Sequence, residues 1–380
     1  MKKSFDKFLQ DKLRKQDESG LLRSLTETSN LVDFSSNDYL GLGRSQAVSR
    51  LATEIHASYG SGNGSTGSRL LTGNSKLALE TEDLLSKIFK CESGLFLNSG
   101  YAANLAVLSS LPGKNDTILY DEFAHASIKD GARLSQAKRF SFRHNDLADL
   151  ENKLRKSAGR TFVAIESVYS MDGDKSPLKE IVSLLRSYDS VLILDEAHST
   201  GMYTLDGAGL AVREGIESNI DVRIYTFGKA VGAHGAFVAG SRRLRDFLIN
   251  FARPFIYTTA PAPHTVATVN ASFRYIGQTP ELQENLAKNI ETYRDVMNDM
   301  DSYGANDTAI QTIRVSGNKD ARELAALLQK NRLDVRPILS PTVPVGKERL
   351  RICIHSFNTV QEIYRLADHV RPVVEKKVEQ

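Results

Sequence analysis

The chain contains the stretch Ser190-Val-Leu-Ile-Leu-Asp-Glu-Ala-His-Ser-Thr-Gly201, in which an uninterrupted apolar run ends abruptly in acidic and polar residues. The run from Val191 to Leu194 has no polar face, which is typical of a strand that helices cover on both sides of a sheet. Ligands of such sheets bind beyond the carboxyl ends of the strands. The stretch therefore predicts an α/β fold with Asp195 and His198 at the binding edge of a largely parallel sheet.

Further apolar runs bounded by turn residues indicate that this strand has several neighbours. They span 94–97, 117–120, 161–165, 222–226 and 235–239. The helical pattern over 76–89 places its apolar residues on one face, as an amphipathic helix requires. We expect a doubly wound, mostly parallel sheet whose carboxyl edge collects Asn98, Glu166, Asp195 and Lys229.

The segment after residue 260 changes character. Three prolines precede a long helical pattern over 281–300, and strand-like runs at 309–315 and 349–354 flank a helical pattern at 321–329. These elements predict a smaller α+β domain. We therefore divide the chain into an N-terminal helix and segment (1–44), a large domain (45–275) and a small C-terminal α+β domain (276–380).

Length, charge and cysteine content exclude several classes of protein. The 380 residues exceed one ordinary core, and 49 basic against 46 acidic residues leave a charge of +3 spread along the chain. This balance indicates no nucleic-acid partner, and no run approaches the roughly 20 apolar residues that span a membrane. The basic and apolar residues of 1–15 predict a surface helix rather than a signal peptide. Cys91 and Cys353 form no disulfide framework, so we expect a soluble protein of the cytoplasm.

Lys229 lies in the run Arg223-Ile-Tyr-Thr-Phe-Gly-Lys-Ala-Val-Gly232, among small and apolar residues after a predicted strand. Such surroundings suit an amine that forms an imine with an aldehyde. Asp195 offers a carboxylate for a pyridinium nitrogen, and His198 adds an imidazole beside it. Together these residues indicate a site for pyridoxal 5'-phosphate (PLP).

Each of these residues also has an ordinary structural explanation. Asp195 could be a helix cap or a metal carboxylate, and Lys229 could be a surface lysine. Thr226 suits a phosphate contact and a strand-filling role equally well. A PLP enzyme nonetheless needs a carboxylate beside the ring nitrogen, because that carboxylate keeps the nitrogen protonated.

Two glycine-containing stretches are candidates for phosphate binding. Asn98-Ser-Gly-Tyr-Ala-Ala-Asn104 follows a predicted strand and begins a helix whose free amides can receive a phosphate, although ordinary strand-to-helix turns look alike. Gly62-Asn-Gly-Ser-Thr-Gly67 matches a dinucleotide fingerprint in form only, because no apolar strand precedes it. We interpret the second stretch as an irregular loop. His125 could cover an aromatic cofactor or merely end a helix.

The motifs, taken in order, resemble those of the α-oxoamine synthases over nearly the whole chain. The matching stretches are Ser35-Ser-Asn-Asp-Tyr-Leu-Gly-Leu42, Gly67-Ser-Arg-Leu-Leu-Thr-Gly-Asn74, Asn98-Ser-Gly-Tyr-Ala-Ala-Asn104, Ser167-Val-Tyr-Ser-Met-Asp-Gly-Asp174, Asp195-Glu-Ala-His-Ser-Thr-Gly201 and Thr226-Phe-Gly-Lys229. The resemblance implies a fold-type I PLP enzyme that condenses an amino acid with an acyl thioester and releases carbon dioxide. It also implies a homodimer with shared active sites, in which 45–275 binds PLP.

For the cofactor, the resemblance implies a catalytic set and a wider set of contacts. Lys229 would carry the aldehyde, His125 would stack on the ring, Asp195 would pair with the ring nitrogen, and His198 would approach the phenolic oxygen. The remaining cofactor contacts that it implies are Gly100, Tyr101, Ser170, Thr226, Thr258 and Thr259, the last two reaching the partner subunit's phosphate. No metal is implied.

For the substrates, the resemblance favours L-alanine and a pimeloyl thioester, carried on coenzyme A or on acyl carrier protein. Arg351 would bind the amino-acid carboxylate, Thr342 and Arg23 would contact the acyl substrate, and Asn37 and His125 would complete the pocket. The product would be 8-amino-7-oxononanoate, on the route to biotin. Condensation of glycine with acetyl- or succinyl-coenzyme A, or of serine with palmitoyl-coenzyme A, remains an alternative. A PLP-binding regulatory protein without activity is a more distant one.

Overall fold

The computed structural model describes residues 3–25, 30–297 and 307–378. The chain divides into two compact units, Met1–Leu31 and Val32–Gln380. The first unit contains helix α1 (Lys3–Glu18), which agrees with the predicted surface helix. All other elements belong to the second unit. The predicted boundaries at 44 and 275 do not coincide with this division and stay a prediction.

The described residues of the second unit form twelve strands. In chain order they are β1 (Val32–Asp33), β2 (Ser93–Leu97), β3 (Thr117–Asp121), β4 (Lys138–Phe142), β5 (Thr161–Glu166), β6 (Val191–Asp195), β7 (Val222–Thr226), β8 (Ala236–Gly240), β9 (Ile310–Arg314), β10 (Leu333–Asp334), β11 (Arg336–Ile338) and β12 (Arg349–Cys353). Each apolar run predicted as a strand is found among them.

Within the ranges that the structure describes, thirteen further α-helices separate or follow these strands. They are α2 (Gln46–Ser58), α3 (Lys76–Ile88), α4 (Gly100–Ser110), α5 (Ala126–Leu134), α6 (Leu147–Lys156), α7 (Leu178–Arg186), α8 (Leu210–Arg213), α9 (Arg242–Phe251), α10 (Arg253–Ile256), α11 (Pro263–Gln278), α12 (Glu281–Val296), α13 (Asn318–Lys330) and α14 (Val360–Val378). Short 3-10 helices span Leu42–Arg44 and Glu217–Asn219. The helix expected over 281–300 is thus found to Val296, and 298–300 lie outside the described residues.

The large sheet has seven strands in the order β2-β8-β7-β6-β5-β3-β4. The five strands β3, β4, β5, β6 and β7 run parallel to one another, whereas β8 is antiparallel to both of its neighbours, β2 and β7. Every residue of β5 and β7 is buried, as expected for strands that are covered on both faces. The predicted doubly wound, mostly parallel sheet is confirmed.

One strand of this sheet escaped the sequence pattern. β4 is an edge strand in which four of five residues are exposed, and its sequence Lys-Arg-Phe-Ser-Phe mixes charged and aromatic residues. Exposed charged edges discourage pairing with other chains. The same feature removes the apolar run that marks a buried strand.

The C-terminal part forms a smaller α+β assembly. Its antiparallel sheet has the order β11-β12-β9, and α13 and α14 pack with it around a core that includes Leu324, Leu350 and Leu366. The pair β1–β10 joins the segment after residue 31 to this assembly. Among the residues that the structure describes, no helix is both long enough and apolar enough to cross a bilayer.

Candidate active site

A cavity of about 260 Å³ lies at the carboxyl edge of the large sheet. The ends of three adjacent strands line it, because Glu166 of β5 pairs with Asp195 of β6 in register and Thr226 ends β7, the next strand. The lining residues that matter for chemistry are Asn37, Gly100, Tyr101, Asn104, His125, Ser127, Glu166, Asp195, Thr226 and Lys229. The predicted convergence of the sequence motifs at one edge is therefore found.

Lys229 lies in the tight connection from β7 to β8. Gly232 in this connection has φ of 63°, and a Cβ there would lie 2.2 Å from the backbone nitrogen of Gly43, so only glycine fits. The Lys229 amine is 2.9 Å from His198 Nε2. Burial lowers the pKa of Lys229, and the Asp195 and Glu166 carboxylates oppose that shift. The site thus favours the unprotonated, nucleophilic amine more than water does.

Asp195 is the last residue of β6 and is 3% exposed. One carboxylate oxygen accepts a hydrogen bond from Asn104 Nδ2 at 2.7 Å, and the other accepts from the Ala197 N–H at 2.9 Å. The strand and these two donors fix the carboxylate at the cavity wall. Asn104 ends the motif Asn98-Ser-Gly-Tyr-Ala-Ala-Asn104, but no pattern in the sequence predicts its contact with Asp195.

His198 is buried three residues after Asp195. Its Nδ1 lies 2.8 Å from the Tyr39 hydroxyl, and its Nε2 faces the Lys229 amine. Burial holds the pKa of His198 well below its usual range, and the nearby Lys229 and Arg351 charges act in the same direction. His198 is therefore a neutral imidazole at physiological pH.

His125 caps the start of helix α5 and also lines the cavity, so its place at a helix end is found and its stacking on a cofactor stays a prediction. Its Nδ1 is 2.7 Å from Ser127 Oγ, and its backbone N–H donates to Glu166 Oε1 at 2.6 Å. Burial is the main reason that the pKa of His125 is lowered. Burial, with the adjacent Asp195 carboxylate, raises the pKa of Glu166 to about 8. The sequence predicts Glu166 at a strand end, but nothing in it predicts the hydrogen bond that Glu166 accepts from His125.

The N-terminus of helix α4 opens into the same cavity. Ser99 caps the helix by accepting from the Ala102 N–H, and the first turn follows at Gly100. A Cβ on Gly100 would lie 2.4 Å from the Thr226 methyl carbon, so a larger residue would displace the threonine. Thr226 Oγ1 is buried and has no hydrogen-bond partner within the described residues. Tyr101 also lines the cavity, and its hydroxyl donates to Asp130 at 2.5 Å.

Arg351 lies on β12 and reaches toward the cavity. Its Nε donates to the Ser170 carbonyl oxygen at 2.7 Å, and its Nη2 donates to Asn37 Oδ1 at 3.0 Å. Asn37 itself lines the cavity, so the guanidinium stands next to it. Ser170 contributes through its main chain in these contacts.

Thr258, Thr259 and Thr342 do not belong to the residues that line this cavity. Asn98 Nδ2 donates to Thr258 Oγ1 at 3.1 Å and to the Thr259 carbonyl oxygen at 2.9 Å, which fixes that segment beside the end of β2. Thr342 is exposed on the loop before β12. Arg23 belongs to the unit Met1–Leu31. The roles of Arg23 and of the threonines Thr258, Thr259 and Thr342 stay predictions.

The residues present fit PLP in three respects. The buried Thr226 hydroxyl has no hydrogen-bond partner in the described part of the chain and lies at the N-terminus of α4, where free backbone amides favour a phosphate. The Asp195 carboxylate has no arginine or lysine in hydrogen-bonding contact among the described residues, so it can receive a pyridinium nitrogen. The Lys229 amine has a lowered pKa, as imine formation requires.

Comparison with known proteins places the chain in a family. Residues 29–370 match the family described as aminotransferase class I and II, so the chain belongs to this family. Among curated relatives, 8-amino-7-oxononanoate synthase of Emericella nidulans is 38% identical over 95% of this chain and 94% of the relative. The resemblance to α-oxoamine synthases that the motifs indicate is confirmed.

Two solved structures are similar to the whole fold. Serine palmitoyltransferase from S. paucimobilis, with bound PLP-myriocin aldimine, has a TM-score of 0.87 at 27% identity and covers 97% of this chain and 98% of that chain. 8-Amino-7-oxononanoate synthase from Francisella tularensis has a TM-score of 0.78 at 28% identity and covers 92% of this chain and 98% of that chain. These neighbours confirm the fold-type I class that the resemblance implies.

Proposed function

We propose that the protein is a PLP-dependent acyltransferase that condenses L-alanine with a pimeloyl thioester, giving 8-amino-7-oxononanoate, carbon dioxide and free thiol. The observation that carries this proposal is the Lys229 amine with a lowered pKa, set in one cavity with Asp195 and near Arg351. The 38% identity to a curated enzyme of that name supports the choice of substrates. The product places the reaction in biotin synthesis.

Lys229, Asp195 and the N-terminus of α4 would hold PLP by its aldehyde, its ring nitrogen and its phosphate. When bound, PLP withdraws electrons from the α-carbon of an attached amino acid and thereby lets a proton or carboxylate leave. Asp195 supports this function because its fixed carboxylate favours a protonated ring nitrogen. His125 lines the same cavity and, through Glu166 and Ser127, is held in place to cover the ring.

Arg351 binds the carboxylate of the amino acid. A guanidinium matches a carboxylate with two parallel hydrogen bonds, and the Ser170 carbonyl oxygen holds the group from behind. By fixing the carboxylate, this contact orients the α-proton toward the base in the cavity rather than toward solvent. After the new carbon–carbon bond forms and the thiol leaves, the same carboxylate is lost as carbon dioxide.

Lys229 is the proton carrier of the reaction. Once the amine of the amino acid has replaced it on the aldehyde, Lys229 would be a free amine of lowered pKa that takes the α-proton and returns a proton at the end, with His198 as a neutral hydrogen-bond partner. His198 is a poor acceptor for the α-proton, because its pKa is well below the usual range. We assign the base to Lys229 for this reason.

Free-thiol release by the PLP-loaded protein tests the proposed function. L-alanine with pimeloyl-coenzyme A is compared with glycine plus acetyl-coenzyme A, glycine plus succinyl-coenzyme A, and serine plus palmitoyl-coenzyme A. A higher kcat/KM with the alanine pair supports the proposal. A higher value with another pair keeps the reaction class and overturns the substrate. Repeating the assay with pimeloyl-acyl carrier protein identifies the carrier.

Serine palmitoyl transfer is the second candidate, because one observation favours it. The S. paucimobilis structure has the higher TM-score of the two neighbours, 0.87 against 0.78. Sequence identity is the better guide to substrate here, since it depends on side chains, and it favours the alanine reaction at 38% against 27%. The four-substrate assay separates the two candidates.

We further infer a homodimer with shared active sites and a location in the cytoplasm. The family resemblance implies that Thr258 and Thr259 reach the cofactor phosphate of a partner subunit. The neighbouring Tyr257 is 72% exposed, as a side chain available to a partner subunit would be. Cys91 and Cys353 are both free thiols, as in a reducing compartment. A sedimentation mass of one chain would contradict the shared site.

A further inference from the structure

A chain of hydrogen bonds connects Arg351 to Lys229 through three intervening side chains. Arg351 Nη2 donates to Asn37 Oδ1 at 3.0 Å, and the Tyr39 hydroxyl lies 3.0 Å from the same oxygen. The Tyr39 hydroxyl also lies 2.8 Å from His198 Nδ1, whose ring places Nε2 at 2.9 Å from the Lys229 amine. Tyr39 is fully buried, so no water competes for its hydroxyl.

The number of protons in this chain limits how it can be arranged. A neutral imidazole has one N–H and a phenol has one O–H, so each can donate only once. Burial raises the pKa of Tyr39 and lowers that of His198, which keeps both groups neutral. Two arrangements remain, and they differ in whether His198 carries its proton on Nδ1 or on Nε2.

Arg351 selects between these arrangements. A guanidinium only donates, so the Asn37 amide must present its oxygen to Arg351 and, at the same atom, to Tyr39. The Tyr39 proton then points to Asn37, because that oxygen offers a second lone pair beside a fixed cation. The Tyr39 oxygen is then left to accept, from the Arg351 side chain and from His198 Nδ1–H. The opposite arrangement breaks the contact between Tyr39 and Asn37.

We propose that Tyr39 is a positioning residue that fixes His198 as the Nδ1–H tautomer, so that Lys229 donates to the bare Nε2 and keeps its own lone pair free. With the proton on Nε2 instead, His198 would donate to the Lys229 lone pair and occupy the electrons that attack an aldehyde or accept a proton. The inference rests on the proposed function only for the roles of Lys229 and Arg351.

The tautomer is measured by NMR on the full chain labelled with ¹⁵N-histidine, before and after loading with PLP. The protein has eight histidines, and a His198→Gln spectrum identifies the signals of His198 by their loss. The protein without PLP should show a protonated Nδ1 and a bare Nε2. In Tyr39→Phe the ratio of Nδ1–H to Nε2–H should fall about tenfold, the effect of losing one buried hydrogen bond. A wild-type Nε2–H signal before loading would overturn the proposal.

A variant at Asn37 tests transmission without touching Tyr39. Asn37→Leu removes the acceptor, so the Tyr39 proton should turn to His198 Nδ1 and move the histidine proton to Nε2. Tyr293→Phe is the matched control, because Tyr293 is also buried and its hydroxyl has no partner among the described residues. Unchanged His198 signals in both Asn37→Leu and Tyr39→Phe would contradict the proposal, even if one variant folded poorly.

The reactivity of Lys229 provides a second readout. The rate at which the PLP-free chain captures PLP, followed by absorbance, should fall about three- to tenfold in Tyr39→Phe and stay unchanged in Tyr293→Phe. Neither this rate nor the ring-nitrogen signals depend on turnover. Failure of thiol release with every substrate pair would therefore count against the proposed function alone, and unchanged tautomer and capture rate would count against the role of Tyr39 alone.

Discussion

Two histidines that follow strands of the same sheet, His144 after β4 and His198 after β6, have different charge states. Both ring nitrogens of His144 face carboxylates, Asp121 Oδ1 at 2.9 Å and Asp174 Oδ2 at 2.6 Å, and these hydrogen bonds outweigh burial and raise the pKa of His144 to about 10. His198 instead faces a phenol and an amine, and its pKa lies well below the usual range. The hydrogen-bond partners of each ring, rather than its position in the fold, therefore determine whether the imidazole is charged.

The difference separates a structural cluster from a reactive one. We call His144, Asp121, Asp174 and Asn145 the His144 cluster; it joins the end of β3 to the loop after β5. The charges of His144, Asp121 and Asp174 are paired with one another, so this cluster stabilises the fold and does not offer a free group to a ligand. In the cavity, by contrast, the Thr226 hydroxyl lacks a described partner and the Lys229 amine has a lowered pKa, so these groups are free to meet a cofactor and a substrate.

The largest expected effect comes from replacing an aspartate at the end of a strand by asparagine, once in the cavity and once in the His144 cluster. Asp195→Asn should lower thiol release by about 10²- to 10³-fold, because a fixed charge at the reacting centre is lost. Asp121→Asn should mainly lower the free energy of unfolding, because it leaves His144 with one carboxylate. Thiol assays and urea titrations on both variants measure this contrast. Similar activity losses in the two variants would remove the distinction between the clusters.

The next largest effect is on stability. His144→Gln leaves two acidic groups without their shared cation, which should lower the free energy of unfolding by about 2–4 kcal/mol at pH 7. This is somewhat less than the roughly 3–5 kcal/mol for a fully buried pair, because solvent reaches the ring. His264→Gln is the control, since His264 is exposed on α11. Equal urea midpoints for the two variants would show that the His144 cluster contributes little.

Alkaline pH should weaken the His144 cluster. The pKa of His144 is raised from 6.5 to about 10 on folding, so its stabilisation is complete below about pH 6.5 and is lost as pH rises toward 10. Between these limits the free energy of unfolding should fall by at most about 1.4 kcal/mol per pH unit, reduced by solvent screening. The wild-type decline minus that of His144→Gln isolates the effect. Parallel curves would argue against a charged His144.

Acid pH should reveal the opposite behaviour of His198. Its pKa is lowered on folding, so below about pH 6.5 the unfolded chain binds a proton that the folded chain refuses, and stability falls as pH falls. His198→Asn should reduce this acid-side loss by at most about 1.4 kcal/mol per pH unit. His125 and His355 also have lowered pKa values, so some loss should remain in the variant. An unchanged acid-side slope would mean that His198 is not the neutral group described.

Much of the fold could be predicted because buried strands have a strong sequence signal. The run Val191–Asp195 illustrates this, since continuous aliphatic residues and a final acid predicted both the strand and its place at the binding edge. The reversed direction of β8 was not predicted. Only 227–235 separate it from β7, which is too short for the crossover that parallel strands need, so the direction was readable in principle.

The site could be predicted only where a single residue suggests its own chemistry. Lys229 and Asp195 did so, whereas Tyr39 did not, because its contact with His198 joins residues 159 positions apart and depends on packing. Glu166 likewise supports His125 across 41 positions. The residue roles implied by resemblance, including those of Thr342 and Arg23, stay predictions.

Replacement of Lys229 tests the central claim most directly. Thiol release from L-alanine and pimeloyl-coenzyme A should fall by at least about 10²- to 10⁴-fold in Lys229→Ala, because the variant loses both the imine-forming amine and the base. The free energy of unfolding should not decrease, since the lost amine has a lowered pKa and no carboxylate in hydrogen-bonding contact within the described residues. A folded Lys229→Ala protein with thiol release within about twofold of wild type would contradict the account, since twofold is far below the loss of a general base.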